Sequence, residues 1–410
     1  MRRTRFALVA FLAAVMAALM SASLAAAQDP VAGDFEKVTL DDDTQNPMEM
    51  DIASDGRVFY VERDGRVQVW NPATGQTSTA GTIPVTQSQE NGLLGITLAN
   101  DFDTTGHLYL SYSALPDSSE QNRLSRFTVE NNAIVAGSER IIYTWQHQVA
   151  QCCHTGGSLA TAADGSIYIS TGDNTNPFDS SGFAPIDERP GREYWDAQRT
   201  SANTNNANGK ILHVAPVQDP TGTPGVGTTY TIPADNLFAT DSEPKTMPEI
   251  YAMGFRNPFR ITVDPKTGWV LMGDYGPDAG STDPNRGPQG SVEFNVVKEA
   301  GNYGWPYCIR QNDAYNDYDF ATSQSGAKFN CDAPVNNSPN NTGITNLPPA
   351  KPATMWEAYS ETDTRFPQLG TGGAPTGGRS RMRRPRRTTG PRRSTSSSRA
   401  RARTTRRARR

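Results

Sequence analysis

Long amphipathic helical patterns are missing from this 410-residue chain, and with them goes any architecture built on packed helices. Histidine is scarce. The four present never fall into a His/Cys spacing that suits zinc, and no Ser-His-Asp order for nucleophilic hydrolysis stands out. No glycine-rich loop follows a strand and opens a helix, so a nucleotide-phosphate cradle is excluded as well. Beyond residue 27 no run is apolar enough to cross a bilayer. Acidic residues are absent from 379–410, where fifteen arginines stand, so the formal charge of −4 leaves −19 on the remainder. A body that acidic repels nucleic acid and favours cations.

What is present begins with an address. Arg2, Arg3 and Arg5 precede an apolar run from Phe6 to Ala27 ending Ala25-Ala26-Ala27, the form of a secretory signal peptide over residues 1–27. A membrane anchor is the competing reading of so long a run, and the small alanines and serines of its second half favour cleavage. The expectation is a secreted, extracellular protein with no stable membrane insertion after cleavage.

Residues 28–370 are enough for one large β domain or two smaller ones. Asn, Asp, Gly and Ser cluster between short apolar runs, the pattern of an all-β chain. SDGRVFYVERDGRVQVW, TTGHLYLSYS, ADGSIYISTGD and KTGWVLMGDY each set a turn glycine (Gly56, Gly106, Gly165, Gly268) before alternating aromatic and aliphatic residues. Each follows another short strand: MEMDIA, LLGITLA, GGSLATA or FRITVD. This repeat predicts one blade of a β-propeller per unit, with variable loops. A β-sandwich of regular hairpins is the plainer alternative, and the repeated order of small-apolar strand, turn and aromatic strand favours the propeller.

The stretch from Glu249 to Pro306 carries the densest chemistry. Alternation through ITVDPKTGWVLMGDY around a Pro-Lys-Thr-Gly turn predicts a hairpin. Arg256 and Asn257 precede Pro258, which holds them extended at a strand entry. Gly276-Pro277 closes the far end, and because Pro277 has no amide hydrogen, nearby carbonyls are available to a cation or ligand. His154, directly before Gly156-Gly157 and a strand, is expected at a strand mouth, where it is either a structural hydrogen-bonder or a proton acceptor. His107 and His213 fall within expected strands, and His147 has no motif around it.

Four cysteines in an exported chain are expected to be oxidised. Cys308 with Cys331, and Cys152 with its neighbour Cys153, is the simplest pairing; cross-links from Cys152 and Cys153 to the distant pair are the alternative.

ENGLLGITLANDF, HTGGSLATAADGSIYISTGD, NGKILHV, IYAMGFRNPFRITVDPKTG, GDYGP and GNYGWP, in this order over roughly residues 35–310, resemble the successive signatures of the glucose/sorbosone dehydrogenase family, the soluble quinoprotein aldose dehydrogenases. The resemblance implies a six-bladed propeller holding pyrroloquinoline quinone and calcium at one mouth, with about four blades in this chain. It implies His154 as the base for the sugar C1 hydroxyl, with Glu90, Arg256 and Asn257 toward the cofactor. The Gly276 and Pro277 carbonyls would serve the calcium that polarises it, and Glu293, the Tyr303 carbonyl and Asp313 a second, structural calcium. A sugar and an external electron acceptor are the implied partners.

Departures from the family pattern stand beside the likeness. Cys153 precedes His154 where sugar oxidisers carry aspartate, Glu90 replaces a common glutamine, and the loop DAGSTDPNRGPQGSV is longer than in compact members. The last two blades, due after about residue 370, are missing. From Thr371 to Arg410 only Thr, Gly, Ala, Pro, Arg, Ser and Met occur, an alphabet that GC-rich codons give when read out of frame. A frameshift near residue 376 and a disordered tail over 371–410 are therefore expected, a nucleic-acid-binding tail being the alternative. A secreted propeller that binds carbohydrate or protein without chemistry is the second function class. A calcium-propeller lactonase is the third, which Arg256-Asn257 fits less well.

Overall fold

The computed structural model describes residues 37–115 and 121–359, with the backbone alone at 364–365 and 379–380. The expected signal peptide lies outside the described residues, as does the arginine-rich tail apart from that 379–380 backbone. The chain divides into two compact units, Met1–Asp43 and Thr44–Arg410, and every blade lies in the second.

Four antiparallel blades succeed one another. The first is the meander Pro47–Ile52, Val58–Glu62, Arg66–Asn71 and Gln76–Thr82. The second orders Leu93–Leu98, His107–Ser113, Gln121–Glu130 and Arg140–Gln146, and the third Gly156–Thr161, Ile167–Thr171, Lys210–Pro216 and Ile250–Met253. The fourth orders Pro258–Val263, Val270–Asp274, Ser291–Val297 and Met355–Ala358. The β-propeller expectation is met with four blades. The one α-helix among the described residues is the single turn Phe102–Thr105. None there is long and apolar enough to cross a membrane.

Local sequence explains the blades. Gly56, Gly106, Gly165 and Gly268 all have positive φ, between 65° and 86°, which turns the first strand of each blade into the second without a Cβ penalty. Period-2 alternation then sends one set of side chains to each neighbouring blade. Phe59, Val61, Ile96 and Leu110 fill the space between the first two blades; Leu124, Trp145, Ile169 and Leu212 fill the next. Tyr168, Ile211, Ile261 and Met272 fill the third. The outermost faces have no further blade against them among the described residues: Met50 and Ile52 are exposed on one flank, Phe259, Leu271 and Phe294 on the other.

The first strands of all four blades share an irregularity. Register shifts fall between Pro47 and Glu49, Leu93 and Gly95, Gly156 and Leu159, and Pro258 and Arg260, always where the strand enters. Bulges bend a strand and re-aim its side chains, so each entry is turned at the same end of the blade. There the first strands interlock through Glu49. Its Oε2 accepts from the amides of Ile96 and Leu159 (both 3.1 Å), and its Oε1 accepts from Ser158 Oγ. Arg260 donates to the Met48 carbonyl, joining the fourth blade to the first.

Candidate active site

In an antiparallel blade the segment entering the first strand and the segment leaving the second lie at one end. His154 precedes a first strand and Asp173 follows a second, so topology alone places them together. Gly172 N donates to Thr155 O (3.1 Å) and Asn174 N to His154 O (3.1 Å), fastening the two segments. The side chains then meet: His154 Nδ1 lies 2.7 Å from Asp173 Oδ1. Asp173 is fully buried and also accepts from Trp305 Nε1 at Oδ2 (2.9 Å) and from the Thr175 amide at Oδ1 (3.2 Å). An Nδ1–H donated to that carboxylate leaves the imidazole lone pair on Nε2, the arrangement of a proton acceptor.

Glu90 and the cysteines surround this histidine. Glu90 Oε2 accepts from the Thr155 amide at 3.0 Å. Cys152 is joined to Cys153, and the Glu90 carboxylate lies within 4.8 Å of both sulfurs. The second disulfide joins Cys308 to Cys331. Two of the other histidines, His147 and His213, are buried. His213 stacks on Tyr168 at 3.9 Å with Asn236 and Ser166 at its two nitrogens, while burial pushes His147 down to about 3, so it stays neutral.

A second cluster lies against the first, tied by the Asp173 amide donating to Arg256 O (2.7 Å). Asp274, the last residue of its strand, accepts from the amides of Asn257 (2.7 Å) and Arg256 (3.2 Å). The Arg256 guanidinium is buried, donating to Tyr275 O (3.0 Å) and standing 3.4 Å from Asp278 Oδ2. Glu293 sits opposite Asp274 in the strand register and accepts from the Arg310 amide (2.6 Å) and Asn295 Nδ2 (3.2 Å). Burial pushes Asp274 up to about 6, and burial with the charge of Asp274 pushes Glu293 up to about 7.

These two carboxyls line a cavity of about 10 Å³ together with Gly276, Pro277, Ser291 and Tyr303. That is room for one water-sized or ion-sized occupant. A Cβ on Gly276 would stand 1.7 Å from Ser291 O, so only glycine lets the two chains close around the cavity. Asn257 Oδ1 and Ser291 Oγ are buried without a hydrogen-bond partner among the described residues, a costly state that a bound polar group or cation relieves. Carboxylate, hydroxyl and carbonyl oxygens together are the donor set of a hard cation.

The structure thus gathers His154, Glu90, Arg256, Asn257, Gly276, Pro277, Glu293 and Tyr303 into two adjoining clusters. Asp313 is not among them: its side chain is half exposed and turns to Arg310, 3.8 Å away. Sequence reasoning missed Asp173, Asp274 and Trp305. The signal for the first two was available, an aspartate directly at or after the end of a second strand, in STGD and in MGD.

Residues 44–339 match the profile of the family described as Glucose / Sorbosone dehydrogenase. The chain is 24% identical over 356 residues to Quinoprotein glucose dehydrogenase B of Acinetobacter calcoaceticus, covering 80% of this chain and 67% of that protein. It is 23% identical over 270 residues to Aldose sugar dehydrogenase YliI of Escherichia coli, covering 65% of this chain and 60% of that one. It therefore spans about three-fifths of the length of the first curated relatives it matches. A crystal structure of a glucose dehydrogenase superposes with a TM-score of 0.52 at 18% identity, over 78% of this chain and 74% of that chain, a likeness of fold.

Proposed function

The chain belongs to the glucose/sorbosone dehydrogenase family, and from that premise we propose that it is a secreted oxidoreductase acting on the C1 hydroxyl of an aldose. The observation that carries the reading is the buried His154–Asp173–Trp305 chain beside a cavity lined by oxygen donors.

His154 Nε2 takes the hydroxyl proton. Asp173 holds the ring in the required tautomer and steadies the imidazolium that forms, and the Trp305 indole and Thr175 amide hold Asp173. When bound, pyrroloquinoline quinone supplies the hydride acceptor and calcium its polarisation, with an external acceptor removing the electrons. Glu90, Arg256 and Asn257 would hold the quinone, Arg256 and Asn257 by donating side-chain N–H groups to its oxygens. The Gly276 and Pro277 carbonyls with Asp274 and Glu293 would hold calcium in one cavity, where the family resemblance implies two separate calcium sites.

Dye-linked aldose oxidation with added pyrroloquinoline quinone and calcium tests the proposal, using this chain and a His154→Ala variant. Activity confined to the parent supports it. A second reading, a propeller that binds sugar without chemistry, draws on the Arg256 guanidinium already spending donors on Tyr275 and Asp278. Sugar binding without dye reduction would favour that reading.

A further inference from the structure

A second concavity lies outside the site described above. It is a cleft of about 600 Å³ between the segment Ile186–Pro190 and the hairpin of Asn316–Asp319 and Gln324–Lys328. That volume falls in the range of small-ligand sites, roughly 300–1,000 Å³. Neither wall is needed to build a blade. One belongs to the long connection between the second and third strands of the third blade, the other to the connection between the third and fourth strands of the fourth.

The lining combines two kinds of surface. Tyr318 and Phe320 supply aromatic rings, packed edge to face at 5.2 Å, with the Arg286 guanidinium 4.0 Å from the Tyr318 ring centre. Glu188, Asp317 and Gln324 supply polar groups, and Gln198 Nε2 donates to Glu188 Oε1 at 2.8 Å, fixing that carboxylate in the wall. The lining arginine, Arg189, has its guanidinium on Asp187, at 2.6 and 2.8 Å. Pyranose rings present a C–H face that packs on aromatic rings and a rim of hydroxyls that donate to carboxylates and exchange hydrogen bonds with amides.

The cleft is also joined to the candidate active site. Gln198 Oε1 accepts from Tyr307 OH at 3.0 Å, and Tyr307 lies two residues beyond Trp305, which bonds Asp173. Ile186 at the cleft and Trp305 belong to one apolar cluster with Tyr315. The groups that orient His154 and the floor of the cleft are therefore parts of one packed unit.

We propose that this cleft binds an uncharged oligosaccharide, at a site separate from the candidate active site. The proposal does not rest on the dehydrogenase reading. Calorimetric titration of the full chain with cellotetraitol and maltotetraitol, whose C1 is already reduced, reads the cleft without turnover. Sorbitol and a glucosamine tetramer serve as comparison ligands.

The expected result is that one tetraitol binds at least about tenfold more tightly than sorbitol, a difference of roughly 1.4 kcal/mol. That preference should be lost in Phe320→Ala and in Asp317→Asn and kept in His154→Ala. Tetraitols binding no better than sorbitol, or equally well to the cleft variants, would overturn the proposal. So would a preference for the glucosamine tetramer, which would make the ligand cationic. Tetraitol binding in a chain that oxidises no aldose would remove the enzyme reading and leave the cleft a glycan site.

Discussion

Asp173 and His154, nineteen residues apart, meet at 2.7 Å inside the protein, and the carboxylate accepts hydrogen bonds from the histidine and from Trp305 at its two different oxygens. Asparagine at position 173 has only one acceptor to offer. If its oxygen serves Trp305, its amide faces His154 Nδ1 and forces the proton onto Nε2, where a base needs a lone pair. His154→Ala and Asp173→Asn should each lower kcat for aldose oxidation by on the order of 10²–10⁴. Near-parental rates in Asp173→Asn would separate that carboxylate from the chemistry.

Cation binding should stabilise the fold. Calcium that binds only the native state at a concentration 100 times its Kd adds about 2.7 kcal/mol. Calcium should therefore raise the melting temperature by several degrees, and a chelator should reverse this. Glu293→Gln, which removes one charge from the cavity wall, should weaken the response. A melt indifferent to calcium in the parent chain would count against the cavity as a cation site.

Stability should also depend on pH through Glu49. Desolvation among the first strands pushes its carboxyl up from 4.5 to about 7, against the opposing charge of Arg260. A carboxyl raised on folding binds more protons in the native state than in the unfolded one, so stability falls as pH rises from about 4.5 to about 7 and then levels. The contribution is on the order of 3 kcal/mol. Gln can keep the acceptor for Ile96 and Leu159 and donate to Ser158, so Glu49→Gln should flatten this part of the profile. An unchanged slope would refute the assignment to Glu49.

The Cys308–Cys331 bridge closes a loop of 23 residues. Closing a loop of that length stabilises by about 3 kcal/mol in the chain-entropy account. A Cys308→Ser/Cys331→Ser double variant should lose that amount in urea unfolding, with an unaltered native spectrum.

Exposed Leu271 and Phe294 lie on adjacent strands as an apolar strip on the fourth blade. Such strips drive association. Light scattering should show the parent chain self-associating as its concentration rises, and Leu271→Lys with Phe294→Glu should reduce it without lowering the melting temperature. A parent that stays monomeric would show the strip to be inert.

Much of the fold was legible because its signals are local. A turn glycine and six alternating residues specify a hairpin wherever they occur, and four repeats of that unit specify four blades. His154, Arg256-Asn257 and Gly276-Pro277 stood out because each abuts a strand entry or exit. The fate of Asp313 was not legible: its pairing with Ile309 in a two-stranded ladder leaves its side chain toward solvent and Arg310, a matter of loop conformation that spacing does not encode.

The chain by itself determined the all-β class, the blade repeat and the residues able to carry acid–base or cation chemistry, since these follow from side-chain type and short-range periodicity. Tertiary structure alone decided which of them meet. Trp305 reaches Asp173 across 132 residues, and Glu49 reaches Ser158 and Leu159 across more than a hundred. Those contacts arise because successive blades return their strand entries to one end of the propeller, where buried polar groups must find partners supplied by other blades.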